Sequence, residues 1–533
     1  MKHQSHWWRE AAIYQIYVRS FADSNGDGEG DLTGIRERLP HLAELGVDAI
    51  WLTPFYVSPL ADGGYDVADY RDVDPRFGTL EDFDALLSAA HDLGIRMIID
   101  VVPNHSSSAH RWFREAVAAE PGSAARARYI FRDGLGPDGD EPPNNWKSIF
   151  GGPAWTRLKT ADGTPEQWYL HLFDAEQPDF DWSNQEVHDE FDDVLRFWLD
   201  RGVDGFRIDV AHGMVKDPAL PDIDPDAKAD LLDGNTSLPY FDQDGVHEIY
   251  RRWSGIAAAY PGDRALVAEA WVENAERVAR YLRPDELHQA FNFEYLTAPW
   301  DAARLRAVIE GSLAANGAVG ATTTWVLSNH DVTRHVTRFG GGEQGLRRAR
   351  AATLLMLGLP GSVYLYQGEE LGLPEVTDLP EDSLQDPTWE RSGRTERGRD
   401  GCRVPLPWEG GSAPFGFGPE GTTPWLPVPE EWAGLSRAAQ RGVAGSTLDL
   451  YTTALGLRRD LDALGDGSMS WLDSPEGVLY FEREPDVRVA VNLGGDAVEL
   501  PASGEVLVAS GPGAELADGT LSLPAETAVW LRV

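Results

Sequence analysis

FDDVLRFWLDRGVDGFRIDV, residues 191–210, holds the local pattern from which the rest of the chain can be read. Phe191, Val194, Leu195 and Trp198 recur at helical spacing, Gly202 follows, and an apolar run ends on Arg207-Ile208-Asp209-Val210. An apolar stripe at three- and four-residue intervals is a helix with one buried face. A glycine just past it supplies the left-handed backbone on which helices end. The near-continuous apolar strand that follows is buried on both faces, as parallel strands are. The unit recurs upstream. Ile35, Leu39, Leu42 and Leu45 precede Gly46 and Val47-Asp48-Ala49-Ile50-Trp51-Leu52, and Phe83, Leu86, Leu87 and Ala90 precede Gly94 and a strand at 95–102. Further strands are expected at 13–21, 265–268, 290–293, 323–327 and 363–366, making eight. Eight parallel β/α units predict an α/β fold, a closed (β/α)8 TIM barrel with its chemistry at the strand C-termini.

Two stretches break the rhythm. Residues 105–183 are rich in Pro, Gly, Asn and Trp and read as a small domain inserted after the third strand. From about residue 467 short alternating strands replace helices, which predicts an all-β C-terminal sandwich domain. The expected division is therefore a barrel at 1–104 and 184–465, an insert at 105–183 and a β domain at 466–533. The Pro- and Gly-rich segment 374–432 reads as a long excursion beside the barrel mouth.

Composition narrows the partners. With 87 acidic residues against 46 basic ones, the net charge is −41. Such a surface repels nucleic acid and anionic membranes and suits neutral solutes. Cys402 is the sole cysteine, so no intramolecular disulfide and no four-ligand thiolate metal site is expected. The chain starts with polar and aromatic residues and contains no apolar run of membrane length, so a cytoplasmic enzyme, monomeric or weakly dimeric, is the expectation.

Carboxylates stand at the strand tips. Arg207 and Asp209 share one face of their strand because side chains alternate, and the guanidinium is expected to favour an ionised, nucleophilic Asp209. A structural ion pair is the alternative. Ala265-Leu266-Val267-Ala268-Glu269 ends on an acid that Trp271 would shield, raising its pKa toward proton donation; a helix N-cap is the other reading. Asn329-His330-Asp331 and Asp100-Val101-Val102-Pro103-Asn104-His105 add polar clusters at two more tips. Four such clusters on one barrel face are hard to explain as packing.

These segments resemble the conserved regions of the α-amylase superfamily, glycoside hydrolase family 13, and Gln177-Pro178-Asp179-Phe180 is similar to its fifth region. The resemblance implies retaining hydrolysis of α-glucosides. Asp209 would be the nucleophile, Glu269 the acid/base and Asp331 the residue that clasps sugar hydroxyls, with Arg207, His105 and His330 holding the first sugar. Asp62-Gly63-Gly64-Tyr65-Asp66 and Gly398-Arg399-Asp400-Gly401-Cys402-Arg403 resemble loops of exo-acting α-glucosidases. There an Asp and an Arg, here Asp62 and Arg399, pair to close the non-reducing end, while Tyr65 and Phe173 would stack on the ring. The alternative is that Arg399 is one of several solvated arginines between Arg391 and Arg403.

Asp23-Ser24-Asn25-Gly26-Asp27-Gly28-Glu29-Gly30-Asp31 has oxygen donors at alternate positions and glycines for a tight turn, which suits a calcium loop. Gly34 occupies the twelfth position, so it is not an EF-hand. The resemblance implies a structural Ca2+ or Mg2+ held by Asp23, Asn25, Asp27, the Glu29 carbonyl and Asp31; an empty Asx-rich turn is the alternative. Val210, directly after the nucleophile, resembles α-1,6-specific relatives. Ala211-His212 departs from them, since an Asn usually stands in place of His212, and favours short α-1,4 substrates such as maltose. An oligo-1,6-glucosidase, and a transglucosidase such as trehalose synthase or sucrose isomerase, remain alternatives. The RLDRD-like loop of sucrose isomerases is not visible in Val332-Thr333-Arg334-His335. A non-catalytic relative and a phosphate-sugar hydrolase are further readings.

Overall fold

The computed structural model describes residues 6–160, 162–224 and 238–533. Residues 1–5, part of the chain start read above, lie outside them.

The three helix–glycine–strand units fold as their periodicity requires. Helix Leu32–Leu45 is capped by the Asp31 carboxylate on Gly34 N–H and ends at Gly46, whose φ of 91° only glycine adopts without strain. Thr79 and Asp82 cap helix Leu80–Asp92 reciprocally. Helix Gln185–Arg201 begins at Asn184 and ends at Gly202. The apolar stripes named above are all buried.

The barrel strands are β1 (Ala12–Ile16), β2 (Ala49–Leu52), β3 (Arg96–Val101), β4 (Gly205–Ile208), β5 (Ala265–Ala268), β6 (Gln289–Ala290), β7 (Thr324–Val326) and β8 (Ser362–Tyr366). They pair in parallel in the order β6-β5-β4-β3-β2-β1-β8-β7. A parallel bridge between Phe291 and Thr324 closes the ring. Ile13, Trp51, Ile98, Val267, Val326 and Tyr364 pack inside it, so the barrel is a filled core and the site must lie above it.

Two strands give way to other structure well before their expected ends. The strand expected at 13–21 stops at Ile16, and Val18–Ser20 form a 3-10 turn. There the side chains of Gln367 and Thr53 accept from the N–H groups of Tyr17 and Val18, in place of a strand partner. The strand expected at 290–293 stops at Ala290, because Asn292 caps a short helix, Phe293–Leu296.

After β3 the chain leaves the barrel through helix Arg111–Ala118 and a three-stranded antiparallel sheet, Phe131–Arg132, Pro165–Leu170 and Trp155–Lys159. The bridge His105–Asp179 ties the exit of this excursion to its return. At the C-terminus a five-stranded antiparallel sheet and a three-stranded one, Val498–Pro501, Thr520–Leu523 and Glu515–Ala517, enclose a core of Tyr480, Leu500, Leu521, Val529 and Leu531. Trp530 donates to the Leu354 carbonyl and docks this domain on helix Gly342–Gly358. Among the described residues no helix is long and apolar enough to cross a membrane.

Candidate active site

Register places the charged groups. Arg207 on β4 lies beside Asp100 on β3 and Val267 on β5. Asp209 and Glu269 follow the last paired residues, with their N–H groups still donating to the Val101 and Ile208 carbonyls. Both carboxylates are thus held by strand backbone at the C-terminal rim, over a cavity of about 720 Å³.

One guanidinium organises the floor. Arg207 Nη1 reaches Asp100 Oδ1 and Asp209 Oδ1, each at 2.7 Å, and Nη2 reaches Glu269 Oε2 at 2.8 Å. The two acids therefore sit side by side on one planar cation. Glu269 also accepts from Val210 N–H at 2.9 Å and from the Trp271 indole at 3.2 Å. Val210 takes a φ of 44°, a left-handed conformation that is costly for a β-branched residue. That turn aims its N–H at Glu269.

The Arg207 contact does not set the state of Asp209 in the way the sequence reading expects. Burial pushes its carboxyl well up, and Glu269, Asp100 and Asp331 add to this against Arg207. The pairwise reading counted the one cation and omitted the other acids and the lost hydration. Asp331 behaves oppositely. Burial raises it, but His330, Arg399 and Arg403 together hold it below the usual carboxylate range.

Asp62 and Arg399, 337 residues apart, meet at 2.7 Å. Arg399 also reaches Asp331 at 2.9 Å and Asp386 at 2.5 Å, so it is not a solvated arginine. Arg403 adds a 3.0 Å contact to Asp331. Gln177 donates to the second oxygen of Asp62. Sequence reasoning passed over Asp386 and Arg403; Arg403 stood in the quoted loop, whereas nothing local marks Asp386.

The histidines are fixed by their neighbours. Gln15 donates to His330 Nδ1, which leaves Nε2–H for Asp331 Oδ2 at 3.2 Å. Asn104 donates to His105 Nδ1, and Nε2 faces the Tyr65 carbonyl. Tyr65 stacks on His330 with centroids 5.2 Å apart, and Phe173 tilts against His105. Both aromatic residues line the cavity.

The outer rim comes from the two excursions. Arg391, at the end of helix Pro387–Arg391, donates to the Gly151 carbonyl at 2.7 Å and stands 3.6 Å from Asp174.

The 23–31 loop lies apart from the cavity. Asp23, Asn25 and Asp27 each accept from backbone N–H groups two to five residues on, and Asp31 accepts from Ser24 and Gly34. The Glu29 side chain pairs with Arg19 at 2.6 Å. Among the described residues no three His, Cys, Asp or Glu side chains converge as a ready metal cage. The loop's donors are nevertheless all oxygen, the chemistry a hard cation takes.

A barrel with paired acids at its C-terminal rim is an arrangement that suits a glycoside hydrolase, and comparison with known proteins gives the family. The α-amylase catalytic-domain model matches residues 15–467, so the chain belongs to the α-amylase family, glycoside hydrolase family 13. It is 39% identical to a probable α-glucosidase of Rhizobium meliloti, over 99% of this chain and 97% of that one. It is 38% identical to the trehalose-6-phosphate hydrolase of Escherichia coli, over 91% and 89%. Among solved structures, an α-glucosyl transfer enzyme, XgtA, superposes with a TM-score of 0.88 at 39% identity, covering 99% of both chains. The trehalulose synthase MutB of Pseudomonas mesoacidophila superposes with a TM-score of 0.87 at 30% identity, again over 99% of both.

Proposed function

We propose that this glycoside hydrolase is a retaining, exo-acting α-glucosidase that releases glucose from the non-reducing end of short α-glucosides, with maltose-type α-1,4 bonds favoured. The observation that carries this reading is the Asp62–Arg399–Asp331 network in the cavity wall, which in this reading closes the pocket beyond the first sugar.

In the first step an Asp209 carboxylate oxygen attacks the anomeric carbon, and the bond to the leaving oxygen breaks as Glu269 delivers a proton to it. In the second step Glu269 takes a proton from water, whose oxygen attacks the same carbon and frees Asp209. Arg207, bonded to both acids, holds them beside each other, and the reading expects the roughly 5–5.5 Å carboxyl separation of a covalent route. Asp331, held anionic, is suited to bind sugar hydroxyls as positive charge develops on the ring. Asp62 and Arg399 would hold the far hydroxyls, and Tyr65 and Phe173 the apolar face.

The reading also includes a structural Ca2+ or Mg2+ at Asp23, Asn25, Asp27, the Glu29 carbonyl and Asp31, resting on the oxygen-only donor set. A cytoplasmic location and a monomeric or weakly dimeric state are kept with this reading. Transglucosidation is the second reading, favoured by the likeness to an α-glucosyl transfer enzyme. A product time course on maltose, isomaltose, sucrose and trehalose separates these, with the anomer followed by NMR. Glucose should appear first as the α-anomer, and fastest from maltose. Disaccharide products would favour transfer, and β-glucose would refute retention.

A further inference from the structure

Asp386 does not itself line the cavity, and none of its side chain is exposed. Its two carboxylate oxygens nevertheless serve two walls of that cavity. Oδ1 accepts from Thr388 N–H at 2.8 Å and so caps helix Pro387–Arg391. Oδ2 accepts from the Arg399 backbone N–H at 3.1 Å and from its Nε at 2.5 Å. The carboxylate is held in turn from behind, because the N–H groups of Gln385 and Asp386 both donate to Asp400 Oδ2. Gly398 lets the segments close up. Its φ is 69°, and a β-carbon there would stand 2.5 Å from the Asp386 carboxyl carbon. The two groups so aimed reach consecutive residues of the inserted segment. The Arg399 guanidinium lies 5.0 Å from the centre of the Phe150 ring, and Arg391, at the far end of the capped helix, grips the Gly151 carbonyl. Thr388, Arg391 and Arg399 all line the cavity. A capping acceptor fixes the first turn of a helix, and charge-assisted bonds fix the plane of a guanidinium. One carboxylate does both here.

We infer that Asp386 is a positioning residue that locks the inner wall, through Arg399, to the outer rim, through helix Pro387–Arg391, and so sets where a second sugar is held relative to the first. The inference rests on the glucosidase reading, in which Arg399 serves the first sugar, and extends it to the wall that meets the second. The test compares maltose with α-glucosyl fluoride, which presents a first sugar and no second one. Asp386→Ser keeps an oxygen that can cap the helix but withdraws the charge from Arg399, whereas Asp386→Ala withdraws both. The serine variant should lose about tenfold or more in kcat/KM on both substrates. In the alanine variant the maltose-to-fluoride ratio of kcat/KM should lie about fivefold or more below that of the serine variant. Any loss of folded enzyme cancels in this ratio, so a merely structural role would not move it. A smaller loss in the serine variant, or ratios closer than fivefold, overturns the inference and leaves the glucosidase reading standing. Should the alanine variant fail to fold, Asp386→Val, which fills the space without an acceptor, gives the same comparison. A wild-type enzyme that releases glucose from neither substrate overturns the glucosidase reading and this inference together.

Discussion

Replacing Arg399 with Ala tests the closed pocket most directly. In the wild type this guanidinium touches Asp62, Asp331 and Asp386 at 2.5–2.9 Å, and its side chain is 20% exposed. Removing it leaves buried Asp62 and Asp386 and part-buried Asp331 without that cation; Arg403 remains 3.0 Å from Asp331 and 3.8 Å from Asp386. Breaking a buried ion network costs about 3–5 kcal/mol. Because Arg403 remains, the lower end applies, about 3 kcal/mol. An unfolding entropy of about 2.1 cal/mol/K per residue over the 533 residues converts this to a fall of about 3 °C in melting temperature. Two of the lost contacts hold Asp62 and Asp331, which in the proposed function serve the first sugar. Losing one charge-assisted bond's worth of transition-state binding is about 2.7 kcal/mol, a hundredfold in kcat/KM, with KM raised and kcat lowered together. Acid titration adds a second readout. Burial raises Asp386, but Arg399 and Arg403 hold it down at about 2. Its folded value lies below its unfolded one, so the stability it contributes is full above pH ~4 and is lost as pH falls toward 2. The variant should lose stability less steeply across that window. Steady-state kinetics on maltose and thermal melts in the same buffers measure all of this. A kcat/KM within tenfold of wild type and an unchanged melting temperature would refute the closed pocket.

Asp209→Asn should fold normally and lose activity, since an amide cannot form the glucosyl ester; residual turnover above about one hundredth would exclude it as nucleophile. If the 23–31 loop holds a cation, chelation should lower the melting temperature with no change in the site's acids, and calorimetry with and without EDTA decides. Glu369 is buried and pushed up to about 8 from an ordinary 4.5. Its folded value lies above its unfolded one, so the wild type loses stability as pH rises from about 4.5 to 8. Glu369→Gln should gain on the wild type by about 1 kcal/mol or more between pH 5 and pH 8 in urea melts. A difference that stays constant with pH would refute this.

The barrel was legible because its signals are local. Gly46 and Gly202 mark helix ends by backbone conformation, and Leu42 or Trp198 marks a buried face by spacing alone. Asp209, Glu269 and Asp331 could be picked out because each stands at or just beyond the end of a strand. What the residue string hides is anything decided by several partners at once. Asp386 reaches Arg399 across thirteen residues with no motif around it. The direction of the Asp209 shift depends on acids from three other strand ends. The early end of β1 depends on Gln367 and Thr53, which lie elsewhere in the chain.

The rim built by Arg391 has a consequence for how such a pocket can change. The reacting acids are anchored to strands, but the outer wall belongs to two surface excursions 240 residues apart that are fastened to each other. Neither excursion is an independent module. Swapping the 148–153 turn with that of another barrel would leave Arg391 without its carbonyl. Swapping the 386–399 segment would remove the hook and, with it, Arg399. Redesign of substrate length in this chain therefore calls for the two segments to be exchanged as a matched set, with the barrel beneath left as it is.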